Sequence, residues 1–229
     1  MYANSTVPQS AQTGIHERLA DLLDRHRREA FRKPILDYNR AAFAASMAAW
    51  QAQPGTDGAL RPLILDTGCG TGVSSIGLAC RYPAHFVIGV DQSADRLATA
   101  KGELPANLCL VRADLVDYWR LLAQHGVRLA QHYLFYPNPW PKIGHVSRRW
   151  HGHAVFPVLP TLGGRIECRS NWPIYVEEFA FALGRVTGRA VAWEGFVADA
   201  PVSPFERKYR DSGQVLYRCV LDLDAAATP

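Results

Sequence analysis

Residues 63–72 read LILDTGCGTG: a short apolar run, Asp66, then glycines at 68, 70 and 72, with a helical stretch beginning at Val73. Glycines at such a strand end let the backbone approach a ligand closely, and the helix that follows offers free N–H groups. A dinucleotide turn of the G-x-G-x-x-G kind needs its third glycine at 73, which is Val73. Nor does that turn ordinarily carry an acid two residues before its first glycine; an acid there suits a cationic group. Two more acids close later strands. Asp91 ends Phe86–Asp91, where a ribose diol lies in open α/β sheets, and Asp114 follows Leu108–Ala113, well placed for an adenine amino group. The plainer reading of Asp91 and Asp114 is as loop acids that cap helices.

Working outward, strand and helix patterns alternate. Strands are expected over Pro62–Asp66, Phe86–Asp91, Leu108–Ala113, Gln131–Tyr136 and Arg165–Arg169, with helices over Val73–Arg81, Ala94–Glu103, Val116–Gln124, Arg148–Leu159 and Pro173–Leu183. Ala190–Phe196 and Gln214–Leu223 close the chain as an antiparallel edge pair, with little room for a helix between them. This predicts an α/β fold with a seven-stranded, mostly parallel sheet and helices on both faces. Ahead of it, residues 1–14 read as a flexible leader and 15–58 as a helical extension, leaving 59–229 for the main domain.

The 229 residues are 48% hydrophobic, enough for one sizeable core. Five scattered cysteines without a CxxC pair point to a reducing, cytoplasmic setting and away from a metal site. No apolar run is long enough to span a bilayer, and a monomer is the favoured state. The net charge of +4 is modest, but basic residues gather in 25–33, 142–149 and 207–210, three groups suited to a polyanion if they converge. His145, His151 and His153 read as surface or phosphate-facing residues, and Cys69 as a small residue packing inside the glycine loop.

The acids at three successive strand ends resemble the class I S-adenosylmethionine-dependent methyltransferase pattern, which implies a Rossmann-like fold and that cofactor. Asp66 with Gly68, Gly70 and Gly72 would hold the methionine end, Asp91 the ribose and Asp114 the adenine edge. The fourth strand then runs into Tyr136-Pro137-Asn138-Pro139-Trp140-Pro141-Lys142, a stiff turn followed by Arg148 and Arg149. Together with Ser170-Asn171-Trp172, Tyr175 and Ser203-Pro204-Phe205-Glu206, this turn resembles the bacterial tRNA (guanine-N7-)-methyltransferase family. The resemblance covers about Leu63 to Leu223 and implies methyl transfer to a guanine N7 in tRNA. It makes Asn138 the catalytic position, shared between cofactor and acceptor. Lys142, Arg148 and Arg149 would then meet phosphates, and Asn171, Ser203 and Glu206 would complete the acceptor pocket.

Two positions depart from that family, which has aspartates where this chain has Asn138 and Asn171. Asn138-Pro139-Trp140 is also similar to the Asn-Pro-Pro-aromatic signature of amino-methyltransferases, apart from Trp140 at the third place. Transfer to another base, an amine or a small molecule therefore stays open, as does a non-catalytic RNA-binding protein that keeps the cofactor pocket.

Overall fold

The run at 63–67 forms a strand that is buried along its whole length, and it sits inside a seven-stranded sheet. In the computed structural model, which describes residues 5–29, 31–100 and 103–225, the strands are β1 (Leu63–Thr67), β2 (Phe86–Asp91), β3 (Leu108–Arg112), β4 (Gln131–Phe135), β5 (Arg165–Ser170), β6 (Trp193–Phe196) and β7 (Leu216–Asp222). Their hydrogen-bonded order is β3-β2-β1-β4-β5-β7-β6. The helices are α1 (Leu19–Arg28), α2 (Asp37–Gln51), α3 (Val73–Arg81), α4 (Ala94–Leu97), α5 (Leu115–Gln124), α6 (Pro173–Thr187) and α7 (Pro204–Asp211). This is the expected class I methyltransferase fold, mostly parallel with an antiparallel edge. Among the described residues no helix is long and apolar enough to cross a membrane.

The residues group into two compact units, one made of Lys33–Phe135 with Leu162–Gly164, the other of the remaining described chain. In the first, β1 pairs in parallel with β2 and β4, and β2 with β3. Every residue of β2 is buried, as a parallel strand covered on both faces requires. The pairing sets Asp66 opposite Gly89 and carries Asp91 just past the end of β1. Helices α2 and α5 pack on each other through Phe43 and Tyr118, whose rings meet edge-on at 5.7 Å, and through a 2.8 Å Ser46–Tyr118 hydroxyl bond.

In the second unit β5-β7-β6 is antiparallel, with Cys168 opposite Cys219. Three expectations need correcting. The stretch Arg148–Leu159 is not an α-helix but lies among three 3-10 segments, Ile143–Arg148, Trp150–Gly152 and Phe156–Leu162. Pro157 and Pro160 lack the N–H that an α-helical ladder needs there. The span before β7 does hold a helix: Ser203 accepts from Glu206 N at 3.1 Å, Pro204 follows the cap, and α7 forms. Finally, α4 is a single turn ending at Leu97, and residues 101–102 of the predicted helix lie outside the described residues. The segment read as a leader is described from Ser5, and Ser10 Oγ donates to the Pro141 carbonyl at 2.6 Å.

Candidate functional site

In the first unit Asp66 is buried at the end of β1, and its Oδ2 accepts from the Ser74 and Ser75 hydroxyls, each at 2.6 Å. Both serines stand in the first turn of α3, which Gly72 opens from the left-handed region (φ 77°). A Cβ at Gly89, opposite Asp66, would collide with the Ser75 hydroxyl, so the glycine in β2 lets that bond form. The other carboxylate oxygen, Oδ1, is buried without a hydrogen-bond partner. Such an atom is costly unless something meets it. Burial, helped by the nearby Asp91 and opposed by the two serines, pushes the Asp66 carboxyl up to about 6. Burial also pushes the Cys69 thiol up, so this loop cysteine is a packing residue.

The glycine loop is held open by β2. Gly68 N and Cys69 N donate to the Val90 carbonyl at 2.8 and 3.1 Å, and Gly70 N donates to Asp91 Oδ2 at 2.9 Å. Asp91 Oδ1 accepts from Ser93 N at 2.8 Å, so both oxygens carry one backbone bond and keep a lone pair each. Gly68 and Gly70 share the positive φ (72° and 57°) that makes this loop a glycine site. Asp114 caps α5 by accepting from Val116 N at 2.8 Å, and its own N–H donates to Asn39 Oδ1 at 2.9 Å. The capping role is therefore real for Asp114, and it leaves Oδ2 for another contact. Six of the seven residues expected at the cofactor fall in this unit, and the seventh, Asn138, falls in the other.

The residues expected at the acceptor fall in the other unit. Tyr136 and Trp140, which bracket Pro137-Asn138-Pro139, have φ of 53° and 45° and are the only non-glycine residues with positive φ among those described. Bulky side chains pay for that conformation, so the turn is held from outside. Tyr136 OH donates to Glu206 Oε1 at 2.8 Å, and the Trp140 carbonyl accepts from both Nε and Nη2 of Arg149 at 3.2 Å. Asn138 is exposed at the apex, with Oδ1 accepting from Trp140 N at 3.3 Å. Lys142 and Arg148 are also exposed, and the Arg148 guanidinium lies 4.8 Å over the Trp140 ring.

Arg149 does not face phosphate as expected. It is fully buried, 2.6 Å from Glu178 Oε2 and 4.8 Å over the Trp172 ring. His151 is likewise no surface residue: it is buried 2.8 Å from the same Glu178 oxygen. Glu178 Oε1 takes Gln12 Nε2 at 2.6 Å and His16 N at 2.9 Å. Burial would raise the Glu178 carboxyl, but His151 and Arg149 outweigh it and hold it at about 2. Asn171, Ser203 and Glu206 are buried too. Asn171 donates to Gln214 at 2.8 Å, Ser203 caps α7, and Glu206 is taken by Tyr136, Arg169 at 2.9 Å and Val202 N at 2.6 Å. They shape the turn's surroundings from inside the fold; Glu206 reaches the turn through Tyr136.

Sequence reading missed Ser74 and Ser75, Asn39 and Glu178, and named Tyr136 in the turn without its bond to Glu206. Two hydroxyls directly after the glycines were a usable signal; the buried Glu178 left none. Among the described residues no group of His, Cys, Asp and Glu could hold a metal.

Residues 60–219 match a family model described as "Putative methyltransferase". The chain is similar to the tRNA (guanine-N(7)-)-methyltransferase of Treponema pallidum (strain Nichols), 24% identical over 205 residues and 82% of both chains. It is similar to the protein of the same name from Nocardioides sp., 30% identical over 68% of this chain and 65% of that one, and from Zymomonas mobilis, 28% over 73% and 78%. Among solved structures, an antibiotic-related methyltransferase superposes with a TM-score of 0.54 at 15% identity, covering 83% of this chain and 96% of that one. The 16S rRNA methyltransferase KamB gives 0.53 at 16%, covering 86% and 96%. At these identities the structural likeness concerns the fold.

Proposed function

We propose a reaction for a chain that belongs to the methyltransferase family and uses S-adenosylmethionine: transfer of its methyl group to guanine N7 in a tRNA. The cofactor brings an activated methyl on a sulfonium and an α-ammonium group, and the residues fit it. Asp66 offers a buried oxygen in need of a partner, and the positive-φ glycines leave the loop backbone free of Cβ atoms. Asp66 and the glycines are assigned the methionine end, Asp91 the ribose and Asp114 the adenine edge.

The observation that carries the acceptor is the braced turn, which presents Asn138 at its apex with Lys142 and Arg148 exposed beside it. The names of the similar curated proteins support the same reading. N7 has a lone pair and no proton, so attack on the methyl needs no general base; the protein has only to hold the base in line. Further basic residues belong to the turn's unit. His26 Nε2 of α1 lies 3.3 Å from the Gly152 carbonyl, and Tyr209 of α7 packs on Tyr136 with ring centres 5.4 Å apart, bringing Arg207 and Lys208 into the same unit. Incubation with labelled cofactor and unmodified tRNA, followed by nucleoside mapping, should yield 7-methylguanosine. Label found only on a different nucleoside or on a small amine would overturn the guanine reading. The amine reading is favoured by Asn138 itself, which stands where the guanine enzymes have an aspartate.

Asp66 makes the cofactor assignment testable by pH. A carboxyl raised in the folded state adds stability below its unfolded value of 3.8 and loses that contribution as pH rises through about 6. A cationic ligand needs the ionised form. Calorimetric titration from about pH 7 down to about pH 5 should therefore show S-adenosylmethionine affinity falling, while the ligand-free protein gains stability from this residue. Asp66→Asn should remove both trends; an unchanged pH profile in that variant would withdraw Asp66 from the site.

A further inference from the structure

The bond between Asn39 and the Asp114 backbone ties the helical extension to the adenine end of the cofactor site. Asn39 is fully buried in the first turn of α2. Its Oδ1 accepts from Asp114 N at 2.9 Å, while its Nδ2 donates to Asp117 Oδ2 at 2.7 Å. Asp117 is itself buried and also accepts from Leu36 N at 3.1 Å and from Arg120 Nη1 at 3.3 Å. One amide thus spans the first turn of α5, fixing the backbone at Asp114 and at the same time the acid three residues on.

We infer that Asn39 is a positioning residue for cofactor recognition: through its amide it sets the Asp114 carboxylate at the angle that distinguishes an adenine amino group from a carbonyl. The inference rests on the assignment of Asp114 to the adenine edge. Asp114 Oδ1 is committed to Val116 N, so the direction of Oδ2 follows from how the backbone enters α5. Asn39 is the side chain that holds that entry from outside α5. Without it the Asp114 N–H loses its acceptor inside the fold and the backbone is released to turn toward water. The carboxylate survives such a change, but its direction does not. This gives α2, whose sequence carries no cofactor motif, a part in selecting the cofactor.

The test compares two ligands by calorimetry, S-adenosylhomocysteine and S-inosylhomocysteine, which differ in the amino group or oxygen on C6 and in the proton that the inosyl ligand carries on N1. An oxygen set against the Asp114 carboxylate binds poorly, so the unaltered protein should prefer the adenosyl ligand by at least about tenfold. Asn39→Ala should abolish most of that preference, mainly by weakening the adenosyl ligand. If Asn39→Ala does not fold, Asn39→Ser is measured in its place. A general loosening of the α2–α5 contact would weaken both ligands equally and leave the ratio unchanged. A ratio that survives Asn39→Ala overturns the inference while Asp114 keeps its role. Equal binding of the two ligands by the unaltered protein overturns the Asp114 assignment and the inference with it.

Discussion

Arg149→Ala is expected to lower the midpoint of thermal unfolding by about 10 °C, the equivalent of about 3–5 kcal/mol in a chain of this size. Arg149 and Glu178 are both fully buried and 2.6 Å apart. Removing the guanidinium leaves Glu178 with hydrogen bonds from His151, Gln12 and the His16 N–H but without the permanent positive charge beside it, and burial lowers the His151 pKa, so the imidazole is a weaker substitute. An uncompensated buried charge, rather than one lost hydrogen bond, sets the size of the effect. Glu178→Ala should cost a similar amount for the mirror-image reason. The double change Arg149→Met with Glu178→Leu should cost clearly less than the sum of the two, since neither charge is then stranded. Scanning calorimetry on the three variants decides it. Single changes that each cost under about 1 kcal/mol would show that the hub does not hold the fold.

The same hub sets an acid limit. Glu178 is held at about 2 against an ordinary 4.5, a depressed carboxyl whose contribution is present above the unfolded value and lost as pH falls toward 2. Asp66 moves in the other direction, so the two acids predict opposite slopes in different pH windows. Glu178→Gln should flatten the acid limb and leave the Asp66 window unaltered. Arg149 also donates twice to the Trp140 carbonyl, so Arg149→Ala should slow methyl transfer more than its loss of stability explains at a temperature where it remains folded.

The parallel half of the fold was legible because its signals are local. Apolar runs of strand length end in an acid or in glycines, and β1, β2 and α3 lie within one residue of where the pattern puts them. Helix α7 was missed because its residues PFERKYRD form no apolar stripe; its signature lies in the cap, Ser203 with Glu206 three residues later. The run 148–159 looked helical by its apolar content, and two prolines settle it as 3-10 turns. The largest misreading was Arg149. A basic residue beside a proline turn reads as solvated, since arginine is seldom fully buried. Its partner lies 29 residues away on α6, among apolar neighbours, and nothing in the local pattern links the two. Asn39 escaped for the same reason, because its partner loop begins 75 residues later.

Asn138→Asp is expected to raise methyl transfer to guanine by about ten- to a hundredfold in kcat/KM. Asparagine has one acceptor oxygen, and in the turn that oxygen already takes the Trp140 N–H at 3.3 Å. The amide can then offer the base one remaining lone pair and an NH2, whereas guanine presents two donors, N1–H and the exocyclic amine. A carboxylate has a second oxygen. It can keep the Trp140 bond on one and accept from guanine on the other, with charge assistance worth about 1–3 kcal/mol over the neutral contact. The turn itself should tolerate the change, since Tyr136 and Trp140 are held by Glu206 and Arg149 rather than by the apex side chain. The measurement is initial rate against tRNA concentration for both forms, with cofactor affinity determined alongside. A rise confined to guanine transfer identifies a weakened member of the guanine-N7 group. Loss of an activity that the unaltered protein has toward another acceptor identifies a turn refitted to that acceptor. A rate unchanged on every acceptor, with cofactor binding intact, removes Asn138 from the reacting site, because no group in contact with the base could change its charge without consequence.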